Sequence, residues 1–268
     1  MNLHFYKYQG TGNDFIMVDN RELHFTLDKS AIAQLCDRRF GIGADGLILL
    51  QNHADFDFEM VYFNADGGAS SMCGNGGRCI VAFAQHLKVI DSVTRFMAVD
   101  GAHEAVVLTD GSVELKMSDV PIVNMEGMDF VLNTGSPHYV RIVGNAETTD
   151  TVAEGRKIRF SPAFAEHGIN VNFLSVLGTA KVATYERGVE DETLSCGTGV
   201  TASAIATYLY RKLSAKQYME IGNVMDTQDI AIRTKGGLLS VRFQPEPNGS
   251  FTNIWLCGAA TRVFEGFI

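Results

Sequence analysis

Hydrophobic and polar residues alternate in FYKYQ from Phe5, and after a polar GTGND segment the chain turns apolar in FIMVD from Phe15. Both stretches predict strands. Between Asp28 and Arg39 the period lengthens, placing Ile32, Leu35 and Cys36 on one face of a predicted helix. GIGADGLILL reads as a glycine-rich turn into a strand, and FDFEMVYFNADGG as an alternating strand that ends in a turn. A helix follows Cys73 to about Lys88, and further strands run to about Val120. Beyond it the pattern predicts strands around Phe130 and Tyr139, a polar helix near Val152, and strands at INVNFLSVL and AKVATYE. The next helix, from about Thr198 to Lys212, carries no charge before Arg211. A helix apolar on nearly all sides belongs inside a domain, so each sheet is expected to curl around its central helix. TRVFEGFI reads as one more strand.

One short phrase occurs twice, as MCGNGGRC around Cys73 and SCGTGV around Cys196. The match extends outward. Tyr62 lies eleven residues before Cys73, and Tyr185 eleven before Cys196. VVLTDGSVEL from Val106 resembles IRTKGGLLSV from Ile232, each a strand, a glycine turn and a strand. GNDF at Gly12 has a looser echo in NVNF at Asn170. The chain therefore reads as two copies of one unit of roughly 120 residues. The first lobe spans 1–119 and is expected to be rejoined by 259–268; the second spans 120–258. The fold class is α+β, with two pseudo-symmetric lobes, each a curled, mostly antiparallel sheet around a central helix. Two such copies normally face each other across a pseudo-two-fold axis, so the cysteines are expected to approach a shared cleft from opposite sides.

With 268 residues, 46% hydrophobic and 20% charged, the chain can bury two modest cores. A net charge of −9 and the lack of a basic run argue against nucleic acid or an anionic membrane as partner. MNLHFYKYQG lacks the layout of a signal peptide, and no stretch is apolar for long enough to span a membrane. The expected location is the cytoplasm. Five cysteines, an odd count, should be reduced there and form no disulfide framework.

Each repeated phrase places a cysteine at the start of a helix, where unpaired N–H groups and the helix dipole favour a thiolate. A thiolate and a thiol on opposite faces of a carbon acid can remove a proton from one side and return one from the other, inverting the stereocentre. The α-hydrogen of an amino acid is barely acidic, and about 1.4 kcal/mol of barrier costs tenfold in rate. With no cofactor to delocalise the carbanion, the N–H groups of CGNG and CGTG must stabilise charge flowing into the substrate carboxylate. The glycines are expected to let the backbone come close to the ligand. Cys36, Cys79 and Cys257 read instead as small core residues. The Cys73–Cys79 spacing does not match a zinc site. GTGND lacks the lysine and the serine or threonine of a phosphate loop, so it reads as a tight turn. His138, which follows a proline, reads by itself as a surface turn residue.

Taken together, GTGNDFIMVD, GIGADGL, YFNADGG, MCGNGGRC, TGSPHYV, INVNF, YERG, CGTG and the EGF ending occur in the order found in one family. Over essentially its full length the chain resembles the diaminopimelate epimerases. The resemblance implies reversible conversion of LL-diaminopimelate to meso-diaminopimelate, on the way to lysine and the wall peptide, without metal or organic cofactor. It implies that Cys73 and Cys196 are the two acid/base residues, assisted by His138 and Glu186. Asn13, Asn64 and Asn170 match asparagines that hold the substrate. Gly74 with Asn75, and Gly197 with Thr198, match the helix-start residues around the reacting carboxylate. Glu186 and Arg187 match a substrate-contacting pair, and the forked donors of Arg187 suit a carboxylate. Three departures stand out. Ser136 replaces the family's usual asparagine at the distal end of the substrate, and VEDETLS before Cys196 is one residue longer than the common form. Phe264 stands where some relatives carry a tyrosine associated with contacts in a homodimer. The rival readings are a proline-type racemase, which the asparagines and YERG disfavour, and a redox sensor whose thiols close into a disulfide.

Overall fold

A computed structural model of the chain describes residues 3–69, 72–216 and 227–268. The chain forms two compact units. One contains the residues up to Leu115 together with Gly258–Ile268, and the other is Lys116–Cys257.

The first unit runs β1 (His4–Gly10), β2 (Asn13–Asp19), α1 (Lys29–Cys36), β3 (Gly46–Gln51), β4 (Glu59–Asn64), α2 (Gly74–His86), β5 (Val93–Ala98), β6 (Gly101–Val107) and β7 (Val113–Lys116). GTGND is a tight hairpin, with Gly10 opposite Asn13 and both loop residues in the left-handed region, Thr11 at φ 48° and Gly12 at φ 94°. Along the sheet β1 pairs antiparallel with β2, β2 parallel with β3, β3 antiparallel with β4, β4 parallel with β5, and β5 antiparallel with β6.

The second unit runs β8 (Val123–Glu126), β9 (Asp129–Asn133), β10 (Pro137–Ile142), α3 (Thr151–Arg159), β11 (Asn170–Ser175), β12 (Ala180–Glu186), β13 (Asp191–Thr193), α4 (Gly197–Lys216), β14 (Gln228–Thr234), β15 (Gly237–Pro245) and β16 (Phe251–Gly258). From β9 the same series of pairings recurs: β9–β10 antiparallel, β10–β11 parallel, β11–β12 antiparallel, β12–β14 parallel and β14–β15 antiparallel. Each parallel pair requires a crossover, and each unit fills its two crossovers with a short helix and then a buried one. Even the capping repeats: Asp28 accepts from Ala31 N at 2.9 Å before α1, and Asp150 from Ala153 N at 3.0 Å before α3. The last strand, β17 (Thr261–Phe267), belongs to the first unit and lies antiparallel to β1.

This topology corrects the looser echo between GNDF and NVNF. Asn13 opens β2, the first strand of a parallel pair, whereas Asn170 opens β11, the second strand of its pair. The two asparagines are therefore not equivalent positions of the repeat. The tyrosines are: Tyr62 lies opposite Ile48 on β3–β4, and Tyr185 opposite Val171 on β11–β12.

Each unit packs its sheet around its second helix. On α2, Ile80, Val81, Phe83 and Ala84 are buried, and the helix touches β1, β2, β3 and β6. On α4, Val200, Ala202, Ile205 and Ala206 sit in one cluster with Ile232, Leu239, Val241 and Phe243 of the β14–β15 hairpin. Full burial of each large side chain contributes about 1.5 to 3 kcal/mol.

Candidate active site

Cys73 occupies the cap of α2 in an extended conformation, φ −110° and ψ 128°, and its carbonyl accepts the first helical bond, from Gly77 N at 2.7 Å. The Cys196 carbonyl accepts from Val200 N at 2.8 Å in the same way before α4. Both side chains are half-buried. Each sulfur is thus carried by the residue at which a helix begins, beside the N–H groups the first turn leaves without a helical partner. Gly74 and Gly197 are the first residues of the two helices.

The second glycine of each phrase faces the sheet, a correction to the expectation that it opens the backbone to a ligand. A Cβ on Gly76 would lie 3.1 Å from Ile48 Cδ1 of β3, and one on Gly199 would lie 2.5 Å from Asn172 Oδ1 of β11. Absence of a side chain here lets the first turn of the helix rest on the sheet.

In the first unit, Asn13 Nδ2 donates to Asp45 Oδ2 at 3.0 Å, and Asn13 Oδ1 accepts from Asn75 Nδ2 at 2.5 Å. Asn75 Oδ1 in turn accepts from Arg78 Nη2 at 2.8 Å, and the same nitrogen donates to Thr11 Oγ1 at 2.9 Å. Arg78 is fully buried. Burial would raise the Asp14 carboxyl, but Arg38 and Lys7 both pair with it and hold it down at about 2, and Arg38 also reaches Asp45. Asn13 and Asn75 are therefore brought together in one network. Asn64, exposed at the end of β4 where Gly67 N donates to its carbonyl, lies opposite Gly46, next to Asp45, but its side chain is not among the hydrogen-bonded members of that network.

In the second unit, His138 is fully buried on β10, in register with Asn170 and Leu132, not in a surface turn. The proline before it is the first residue of the strand, where its missing N–H is tolerated. His138 Nδ1 lies 3.0 Å from Asn172 Nδ2, and Nε2 lies 2.9 Å from Thr198 Oγ1. Thr198 Oγ1 is 3.4 Å from Cys196 Sγ. Burial, reinforced by the charge of Arg187, pushes the His138 pKa down to about 3. Because the folded value lies below the ordinary 6.5, the unfolded chain takes up a proton that the folded chain refuses. Stability is therefore expected to be full above pH 6.5 and to drain as pH falls toward 3, by up to about 1.4 kcal/mol per pH unit from this ring. Urea titrations at several pH values across this window, comparing the protein with His138→Gln, check this; the variant should show the shallower pH dependence.

Asn170 ties Ser136 to Arg187. Its Nδ2 donates to Ser136 Oγ at 2.8 Å and to Pro137 O at 3.1 Å, and its Oδ1 accepts from Arg187 N at 2.9 Å. The exposed Arg187 side chain donates to His167 O at 3.0 Å. Burial raises the Glu186 carboxyl above the ordinary 4.5. Before Cys196 the chain turns after β12 and pairs back on it as β13. Glu186 pairs with Asp191 and Tyr185 with Glu192, while Glu190, at φ 59°, receives Tyr185 Oη and faces Arg159.

Burial raises Cys36 to about 11 and Cys79 to about 12, so both stay protonated thiols near neutral pH. Among the described residues, no three His, Cys, Asp or Glu side chains are grouped to hold a metal ion. One surface hollow, lined by His4, Asp19, Arg21 and His24 among others, includes none of the candidate residues. Motif reading missed Arg78, Asn172 and Thr184. For Arg78 a signal existed, a charge inside a phrase otherwise made of small and apolar residues.

The family profile described as Diaminopimelate epimerase matches residues 5–126 and 130–263. A diaminopimelate epimerase from Flavobacterium psychrophilum is 50% identical over 263 residues, covering 97% of this chain and 98% of its own. Among solved structures, a PhzF-family phenazine biosynthesis protein from Bacillus anthracis superimposes with a TM-score of 0.72 at 11% identity, covering 100% of this chain and 99% of its own. A hydroxyproline epimerase from Agrobacterium vitis, with bound trans-4-hydroxy-L-proline, gives 0.64 at 15%, covering 100% and 92%. The structural likenesses establish the fold, which proteins named for different substrates share. Sequence identity along nearly the whole length decides among them, and the chain belongs to the diaminopimelate epimerase family.

Proposed function

We propose that the chain interconverts LL-2,6-diaminopimelate and meso-diaminopimelate by proton transfer between two cysteines, on the way to lysine and cell-wall precursors. The observation that carries this reading is the duplicated cysteine at a helix start, in a chain half identical to a diaminopimelate epimerase. One sulfur, as thiolate, takes the α-proton and becomes a thiol. The other, as thiol, delivers a proton to the opposite face and becomes a thiolate. The enzyme is then poised for the reverse reaction. The N–H groups of Gly74 and Asn75, and of Gly197 and Thr198, are suited to the charge that builds on the reacting carboxylate. Asn13, Asn64, Ser136 and Arg187 serve the remaining polar groups of the substrate. Asn170, with its amide committed to Ser136, Pro137 and Arg187, serves chiefly as the strut that sets the last two.

The test is α-proton exchange from LL-diaminopimelate in heavy water under reducing conditions. Lysine and proline are expected to exchange negligibly, since each donor left unpaired costs about 1 to 3 kcal/mol. Comparable turnover of proline would overturn the substrate and spare the mechanism; absence of exchange from diaminopimelate would overturn both. Ser136→Asn should be tolerated, because an asparagine oxygen can take the Asn170 hydrogen bond that Ser136 Oγ now accepts. Severe loss of turnover in that variant would mean the pocket is built around serine.

A homodimer and a cytoplasmic location belong to the same reading. No helix among the described residues is long and apolar enough to cross a membrane. Phe264 is exposed on β17, edge-on to Phe5 at 6.0 Å, and offers an apolar side chain to a second copy. Light scattering should give a dimer mass for the protein and a monomer mass for Phe264→Asp.

A further inference from the structure

Asn172 contacts neither sulfur, yet it stands at the head of a hydrogen-bonded line that ends on one. Fully buried on β11, it donates through Nδ2 to Tyr139 O at 3.1 Å, while Oδ1 accepts from Thr184 Oγ1 at 3.0 Å. A carbonyl oxygen only accepts, so the Tyr139 contact fixes which end of the amide is nitrogen. Its second N–H then points to His138 Nδ1, 3.0 Å away. A ring nitrogen that receives a hydrogen bond carries no proton, and the proton of the neutral ring must sit on Nε2. Nε2–H faces Thr198 Oγ1 at 2.9 Å and occupies that oxygen as an acceptor. The single hydroxyl proton of Thr198 is then available to Cys196 Sγ at 3.4 Å. Arg187 is the charged group that bears on the ring, and it also favours the neutral imidazole.

We propose that Asn172 is a positioning residue that locks His138 in its Nε2–H tautomer and so turns the Thr198 hydroxyl toward the Cys196 sulfur as a donor. His138 then acts as a fixed relay of hydrogen bonds, not as a base that takes a proton from the sulfur. A hydroxyl donor favours the thiolate over the thiol, which receives little from it. The assignment rests on Cys196 serving as an acid/base group, but the experiments below need no substrate and so stand or fall separately from the proposed activity.

In the purified full chain labelled with 15N-histidine, long-range 1H–15N correlation should show His138 protonated at Nε2, unchanged from pH 6 to 9. An Nδ1–H tautomer, or a titration in that range, overturns the proposal without any variant. In Asn172→Asp the new carboxylate accepts from Nδ1–H and inverts the tautomer. Nε2 then draws the Thr198 hydroxyl away from the sulfur. With Cys73→Ala as background, the rate of iodoacetamide reaction at Cys196 against pH, read by peptide mass spectrometry, gives the thiol's midpoint. That midpoint should move up by about one pH unit or more in Asn172→Asp. Thr198→Val should move it similarly, Thr198→Ser should restore it, and Asn172→Asp should add nothing on top of Thr198→Val. An equal further shift in the double variant would mean that the new charge acts directly on the sulfur, and the relay would be refuted.

Discussion

Alanine at either Cys73 or Cys196 is expected to lower the epimerisation rate by about 10³-fold or more, near the upper range for loss of a positioned acid or base. The two losses should not add. Inversion needs a group that accepts and a group that donates, and removing either leaves the other without its counterpart. Melting temperature should barely change, because both side chains are half-buried and sit at helix starts rather than within the packed cores. Cys79→Ala is the contrast. Its thiol is fully buried and raised to about 12, so the loss there should fall on stability, by about 1 to 2 kcal/mol, with turnover retained. The measurements are turnover of LL-diaminopimelate under reducing conditions and thermal unfolding for the three variants. Substantial turnover by either of the first two would defeat the two-base mechanism.

Gly199→Ala is expected to be the most damaging change that removes no chemical group. A Cβ at this position would come within 2.5 Å of Asn172 Oδ1, and Asn172 cannot step aside. Its amide is held by Thr184, Tyr139 and His138 together. The first turn of α4 must lift instead, and it carries both the Cys196 carbonyl bond and the N–H groups beside the sulfur. A misplacement near 1 Å at reacting groups costs about 100-fold in rate. Gly76→Ala, the same change in the other repeat, meets the tip of the Ile48 side chain at 3.1 Å, which can rotate, and touches Met60 Cε at 3.4 Å and Phe15 Cε1 at 3.6 Å in ordinary contact. Its effect on turnover should be much smaller. Equal losses in the two variants would show that the strut on Asn172 is not what separates the sites.

The elements legible in the chain were those whose signal is local. Asp28, the Cys73 phrase and the Cys196 phrase each announce a helix within a few residues, and α1, α2 and α4 begin there. The ends were softer, because propensity says little about where a last turn frays: α2 stops at His86 and α4 continues to Lys216. His138 was misread for a different reason. A proline before a histidine resembles a turn, and only the pairing of β10 with β9 and β11 shows that it opens an interior strand. The hydrogen bonds of Asn172 to His138 and Thr184 lay beyond reach, since these residue types are common and their meaning comes from partners 34 and 12 positions away. Arg78 falls between these cases. Its place in α2 was plain, but its grip on Asn75 and Thr11 depends on the hairpin that returns Thr11 to the helix.

The pairing of β1 with β17 carries a cost during synthesis. Leu3 N donates to Ile268 O at 2.9 Å, and Ile268 N to Leu3 O at 3.1 Å, so a segment made before the second unit is bonded to a segment made only after it. Meanwhile one edge of β1 waits with its N–H and C=O groups open, the condition in which strands recruit the wrong neighbour. The second unit, whose strands are contiguous in the chain, can complete itself first. Joining the ends of β17 and β1 by a short linker and reopening the chain in an exposed turn would make that late contact local, and loop-closure arguments predict faster refolding for such a permutant.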